Sequence, residues 1–269
     1  MVCKPVPQTT CRPLLPAGLR EIRGRILDAP RLTLFLDFDG TLAPIVDDPA
    51  DAHLDERTRE VLEALSQRDG ILVAIVSGRS VSDLWMRLGL ERAIYAGNHG
   101  LEIRGPGLRF TEPLAAASRE SLAKFSEILA CNLEGMAGVR VENKGLSASV
   151  HYRLASPAAV RELERVVCEG VAPGVSPFRQ ARGRRALDIL PRTEWNKGAA
   201  VAWINSQDAG EPRLSLYLGD DGADEDAFRC LQDGITIHVG DPPGATCAQY
   251  YVADPAQVGV FLAWLDLNR

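Results

Sequence analysis

Long apolar runs are missing from this sequence. The cleanest, Ile71–Val76, falls far short of the roughly 20 residues a membrane-spanning helix needs, so no membrane partner is expected. Basic runs are missing too. With a formal net charge of −6 and no Lys/Arg block, nucleic acid is not an expected partner. The cysteines (Cys3, Cys11, Cys131, Cys168, Cys230 and Cys247) form no C-x-x-C pair and no zinc-like cluster, which leaves reduced thiols in a cytoplasmic protein. There is no internal repeat and no low-complexity tract. Prolines interrupt MVCKPVPQTTCRPLLPAG where a signal peptide would need an apolar segment, and residues 1–16 are expected to form a disordered leader.

What remains is ordinary globular composition. Hydrophobic residues make up 46% and charged residues 25% of 269, enough for one large domain or two modest ones. Continuous apolar runs at Leu32–Leu36, Ile71–Val76, Ala93–Ala96, Leu214–Leu218 and Ile235–Val239 suit strands covered on both faces. Helical patterns lie between them at Asp55–Arg68, Ser80–Leu88, Lys197–Asn205 and Asp224–Leu231, with another at Pro255–Leu267. This alternation predicts a Rossmann-like, doubly wound α/β core. The middle of the chain differs. One long helix is expected over Leu114–Leu133 and another over Pro157–Glu169. Strands are expected at Val139–Glu142, Leu146–Arg153, Val175–Phe178 and Ala186–Leu190, the first two joined by Asn143-Lys144-Gly145. The expectation is an inserted α+β unit at 105–192, within a core made of 17–104 and 193–269.

Four motifs carry chemistry. Asp37-Phe38-Asp39-Gly40-Thr41 follows LTLFL and sets two carboxylates at a strand tip, where ligands of open α/β sheets bind. A calcium loop does not fit, because Leu42 and Asp48 stand where that loop needs Gly and Glu. An ordinary Asp-rich turn does fit. Ser77-Gly78-Arg79 follows ILVAIV at a helix start, a natural phosphate cradle that is also a routine turn. Lys197 opens a helix, as a point charge for phosphate or as a solvated lysine. Gly219-Asp220-Asp221-Gly222-Ala223-Asp224-Glu225-Asp226 crowds carboxylates at a strand tip; a hard cation would relieve their repulsion, although Asp224 and Glu225 also suit a helix N-terminus.

The order of these motifs resembles the haloacid dehalogenase superfamily of phosphatases, from about Arg31 onward. LFLDFDGTLAPIVDDP, AIVSGR, GNHG, VENKGLSASVHYR, WNKG and GDDGADEDAF narrow the resemblance to trehalose-6-phosphate phosphatases. It implies a Mg²⁺-dependent phosphatase with a cap domain over 105–192, an aspartyl-phosphate intermediate and a sugar-phosphate substrate, with functional coupling to a trehalose-phosphate synthase. Asp37 is then the nucleophile and Asp39 the acid–base residue, with Lys197 shielding charge. Gly40, Thr41, Ser77, Gly78 and Arg79 are expected on the phosphate. The metal is expected on Asp37, the Asp39 carbonyl and Asp220, with Asp221 in support. Asn98, His99 and Gly100 are expected to line the substrate site. The family's E-x-K pair matches Glu142 and Lys144, and its further cap carboxylate matches Asp188. Two departures sit there, since Asp188 replaces Glu and Leu190 replaces a basic residue. They keep other glycosyl phosphates in play, as with glucosylglycerol phosphate or a phosphorylated aminocyclitol sugar. A non-catalytic sugar-phosphate sensor is the reading from another class. Glu142 and Lys144 could also be plain hairpin-tip charges, and His151 a plain strand residue.

Overall fold

The computed structural model describes residues 11–183, 185–207, 212–241 and 244–269. They divide into two compact units, one formed by 11–109 and 196–269 and the other by Phe110–Trp195.

The first unit is built on strands β1 (Arg12–Pro13), β2 (Arg31–Leu36), β3 (Ile71–Val76), β4 (Ile94–Gly97) and β5 (Glu102–Gly105), and β6 (Leu108–Thr111) spans the boundary between the units. The second contributes β7 (Arg140–Asn143), β8 (Ala148–His151), β9 (Phe178–Gly183) and β10 (Ala186–Pro191); the chain then returns to the first with β11 (Arg213–Gly219), β12 (Ile235–Val239) and β13 (Tyr250–Val252). The helices are α1 (Leu19–Asp28), α2 (Glu56–Gln67), α3 (Val81–Leu88), α4 (Pro113–Ala117), α5 (Arg119–Asn132), α6 (Pro157–Gly170), α7 (Lys197–Ser206), α8 (Asp224–Cys230) and α9 (Pro255–Asn268).

The large sheet has the order β1-β13-β12-β11-β2-β3-β4-β5-β6. Neighbours from β1 through β4 pair in parallel, and β4 with β5 antiparallel. Chain order runs outward from β2 in one direction and from β11 in the other, so the β2/β11 seam is a topological switch point. The runs read as strands supply the fully buried Leu32, Leu34, Leu36, Leu216, Leu218, Ile235 and Ile237, which pack with Phe261 and Leu265 of α9. The fold is the α/β core that the apolar runs predict.

Local chemistry fixes the helix starts. The Asp55, Ser80 and Asn196 side chains accept from the backbone N–H of Thr58, Asp83 and Ala199, capping α2, α3 and α7. The long helix expected over 114–133 is instead split. Ser118 turns its hydroxyl onto the Leu114 carbonyl and sits between α4 and α5, competing with the helix ladder. The disordered leader expected through Pro16 lies partly outside the described residues. From Arg12 the chain is structured, because β1 pairs with Tyr250–Tyr251 and Leu14 is fully buried.

In the second unit the sheet order is β7-β8-β10-β9, all antiparallel. Ala148, Val150, Leu187 and Ile189 bury one face with Leu122, Leu129, Leu163 and Val167 of α5 and α6. Among the described residues no helix is long and apolar enough to cross a membrane.

Candidate active site

Asp37 follows β2 directly, and its backbone N–H donates to Leu218 O of β11 at 3.0 Å, which pins it at the switch point. The loop then folds tightly, with Thr41, Leu42 and Ala43 all donating backbone N–H groups to Phe38 O. Gly40 has φ +86°, and a Cβ there would stand 2.1 Å from Asp220 Oδ2. Only glycine satisfies both demands, so this residue lets the β2 loop lie against the β11 carboxylate. Thr41 is fully buried, and its Oγ1 has no hydrogen-bond partner among the described residues. Such an orphan is costly unless a ligand oxygen meets it.

Lys197, set in the first turn of α7 by the Asn196 cap, donates to Asp37 Oδ1 at 2.9 Å and to Asp224 Oδ1 at 2.8 Å. All three side chains are buried. Tyr217 Oη also donates to Asp224 Oδ1, at 2.6 Å, and the N–H groups of Asp220 and Asp221 donate to Oδ2 at 3.0 Å each. Four donors therefore meet a carboxylate that has about four lone-pair sites. Asp224 is an anchor that ties the β11 tip to Lys197. In the sequence it belongs either to the cation-seeking carboxylate cluster or to the helix start; its burial in the first turn of α8, three residues past Asp221, is what separates it from a solvated cap.

Asp37, Asp220 and Asp224 each bring a carboxylate oxygen within 4.8 Å of the others. Burial drives the Asp37 carboxyl well above its usual range; Lys197 opposes this, while Asp224, Asp220 and Asp221 add to it. The Lys197 ammonium is held charged by Asp224 and Asp37 against the effect of its own burial. Buried, mutually repelling carboxylates suit a hard divalent cation, so the donor set fits one. With Asp224 saturated, Asp37 and Asp220 are the carboxylates left to hold it. Asp221, expected in support, lies outside this cluster and accepts the Ala223 N–H at 2.9 Å.

The Ser77–Arg79 loop and the Asn98–Gly100 turn form one piece. Asn98 N donates to Arg79 O at 2.6 Å and His99 N to Ser77 O at 2.9 Å. Asn98, His99 and Gly100 all have positive φ, of 52°, 58° and 87°. Consecutive left-handed residues are strained, and such strain gathers at functional sites. The turn sets the His99 ring over Gly78, where a Cβ would lie 2.8 Å from it. His99 also acts on the Asp221 carboxyl, joining Lys197 in holding it low against burial.

Arg79, expected on the phosphate, is bonded here to protein groups. Its Nε and Nη2 donate to Asp39 Oδ2 and Oδ1 at 2.7 Å each, Nη1 donates to Asp83 at 2.7 Å, and Nη2 also reaches Pro49 O at 2.8 Å. The guanidinium stands 5.1 Å from the Phe38 ring centroid. Four of its five N–H groups are thus committed to protein.

In the second unit, Glu142, Ser149 and Asp188 lie opposite one another across β7, β8 and β10. Ser149 Oγ donates to Asp188 Oδ1, and Lys144 Nζ lies 3.9 Å from that oxygen. His151 Nε2 is 2.7 Å from Glu142 Oε2. The three expected sugar ligands therefore share a sheet face opposite the apolar one.

The trehalose-phosphatase family profile matches residues 35–251. A probable trehalose-phosphate phosphatase of Oryza sativa is 34% identical over 252 residues, covering 86% of this chain and 68% of the relative. The trehalose-phosphate phosphatase of Mycobacterium marinum is 36% identical over 257 residues, covering 92% and 65%. The chain thus spans about two thirds of these relatives' length. Among solved structures, the C-terminal domain of Candida albicans trehalose-6-phosphate phosphatase superposes with a TM-score of 0.80 at 22% identity, covering 96% of this chain and 98% of that one, a likeness of fold. A strand tip carrying a buried carboxylate, a buried lysine bonded to it and an acidic cluster, on a chain matched over this length, lead to one conclusion: the chain belongs to the trehalose-phosphatase family.

Proposed function

We propose that this phosphatase hydrolyses trehalose 6-phosphate to trehalose and inorganic phosphate through a phosphoryl group carried on Asp37. The observation that supports it most is the buried Asp37–Lys197–Asp224 bridge at the switch point, with Asp220 beside it. Lys197 holds Asp37 in place and offsets the charge of an approaching phosphate. Asp39 gives a proton to the departing sugar oxygen and later takes one from water as the acyl phosphate is cleaved. Thr41 Oγ1, Ser77 and Gly78 hold phosphate oxygens. Mg²⁺ on Asp37, Asp220 and the Asp39 carbonyl would neutralise charge on the transferring group. Glu142, Lys144 and Asp188 take the glucose hydroxyls. Coupling to a synthase and a cytoplasmic setting belong to the same reading.

A phosphate-release screen with Mg²⁺ over a panel of sugar phosphates tests it. The expected outcome is that trehalose 6-phosphate has the highest kcat/KM. A better glycosyl phosphate would replace the substrate and keep the chemistry. No release from any member would favour a non-catalytic sensor.

A further inference from the structure

Glu142 is the most exposed of the three residues proposed for the sugar, with its side chain 44% accessible. A glutamate so placed on β7 would ordinarily sample several rotamers, and binding would have to freeze them. Here one contact already does so. His151, on the neighbouring strand β8, sits directly opposite Arg140 and therefore diagonal to Glu142, a separation that long side chains span. Its side chain is 18% accessible, and Nε2 meets Glu142 Oε2 at 2.7 Å. The same strand treats the second carboxylate alike, since Ser149, two residues before His151, donates to Asp188. Strand β8 thus presents two polar side chains on one face, each bonded to a proposed sugar ligand.

We infer that His151 is a positioning residue for substrate selection: it fixes the Glu142 carboxylate for the sugar and makes no contact with the reacting atoms. This rests on the trehalose 6-phosphate reading. One hydrogen bond from His151 leaves Glu142 most of its acceptor sites for hydroxyls. Pre-paid rotamer entropy improves binding equally in ground and transition states, so it acts on KM and leaves kcat alone. The groups facing Glu142 are His151, Lys144 and Arg140. Its carboxyl is held low chiefly by the His151 hydrogen bond, with burial opposing and the Lys144, His151 and Arg140 charges assisting.

The test compares the wild type with His151→Leu and His151→Gln on trehalose 6-phosphate and on p-nitrophenyl phosphate, in Mg²⁺. His151→Leu is expected to raise KM for trehalose 6-phosphate about three- to tenfold at unchanged kcat. The aryl phosphate parameters should not move, and His151→Gln, which keeps a side-chain N–H, should recover most of the loss. In a Glu142→Ala background, which removes the bonded carboxylate, His151→Leu should add nothing. An unchanged KM, or equal losses on both substrates, overturns the inference. If the wild type itself releases no phosphate from trehalose 6-phosphate, the substrate reading falls and His151 is judged by carboxyl ¹³C titration. Glu142 should titrate higher in His151→Leu than in the wild type, and identical curves overturn the positioning role.

Discussion

Arg79 grips both carboxylate oxygens of Asp39, Nε on Oδ2 and Nη2 on Oδ1, at 2.7 Å each. The fork takes one lone pair on each oxygen of Asp39, the carboxylate proposed above for acid–base work. On that proposal Arg79 acts on the chemical step through Asp39, whereas a phosphate ligand would govern binding. Arg79→Lys, which loses the planar fork, is expected to lower kcat about 100-fold on sugar and aryl phosphates alike, the lower end of a general acid–base contribution. The inhibition constant for inorganic phosphate should stay unchanged. Weaker phosphate inhibition with kcat preserved would return Arg79 to the phosphate.

Asp37→Asn is expected to abolish turnover while the far-UV spectrum and melting transition persist. Lys197 keeps Asp224 as a partner in this variant, so no buried charge is stranded. Phosphate release near the wild-type rate from folded D37N protein would end the nucleophile assignment.

Exhaustive chelation is expected to stop phosphate release, and Mg²⁺ to restore it. Asp220→Ala removes one of the two carboxylates left to hold a cation and should raise the Mg²⁺ concentration for half-maximal activity at least about tenfold, which corresponds to about 1.4 kcal/mol of binding. Full activity after chelation, or an unchanged Mg²⁺ requirement in D220A, would exclude the metal role.

Asp83 supplies a pH test of the fold around Arg79. Burial pushes its carboxyl up, but hydrogen bonds from Arg87 and Arg79 outweigh this and hold it below the usual value. A folded-state pKa below the unfolded value of about 3.9 stabilises the protein above that pH and loses the effect as pH falls through the folded value. Asp83→Asn should therefore cost stability at neutral pH, and the gap from wild type should close in acid. Denaturant midpoints at pH 7 and at pH 3 measure it, and a gap independent of pH would refute the linkage.

The core was legible because strands buried on both faces must be continuous apolar runs, as LTLFL, ILVAIV and LSLYL are. Three of the four motif positions followed, since DFDGT, SGR and GDDG begin where such runs end, whereas Lys197 opens a helix. Partner choice was less legible. SGR announces a cation near an anion site, yet which anion Arg79 takes depends on the fold of the 37–43 loop. Tyr217 read as strand filler, and only the seating of α8 beneath β11 turns its hydroxyl onto Asp224. The Pro-rich stretch before Leu19 read as loose because its strand partner, Tyr250–Tyr251, lies far along the chain and was not expected as a strand. Ser118 looked harmless within a helical pattern, since propensity does not say where its hydroxyl points.

The last prediction concerns the polar face of the second unit. Glu142 lies in β7 and Lys144 opens the turn to β8, and nothing in the sequence separates sugar ligands from hairpin-tip charges there. The structure narrows the choice. The Lys144 side chain is 10% accessible and 3.9 Å from Asp188, unlike a solvated turn lysine. If these residues hold the distal sugar, their loss acts on substrate placement and takes no part in bond making. A charged hydrogen bond left unmade costs about 1.5–3 kcal/mol, or roughly one to two decades in kcat/KM. A small aryl phosphate carries no glucose, so its hydrolysis should barely change. Glu142→Ala and Lys144→Ala are expected to lower kcat/KM for trehalose 6-phosphate alone. Solvated charges predict no loss on either substrate, and a folding defect predicts equal loss on both. Asp188→Glu belongs in the same assay. Asp188 is already bonded to Ser149 and close to Lys144, and a longer side chain there must displace one of these contacts. If that variant improves another glycosyl phosphate while trehalose 6-phosphate stays poor with every protein, the substrate assignment fails and the phosphatase chemistry stands.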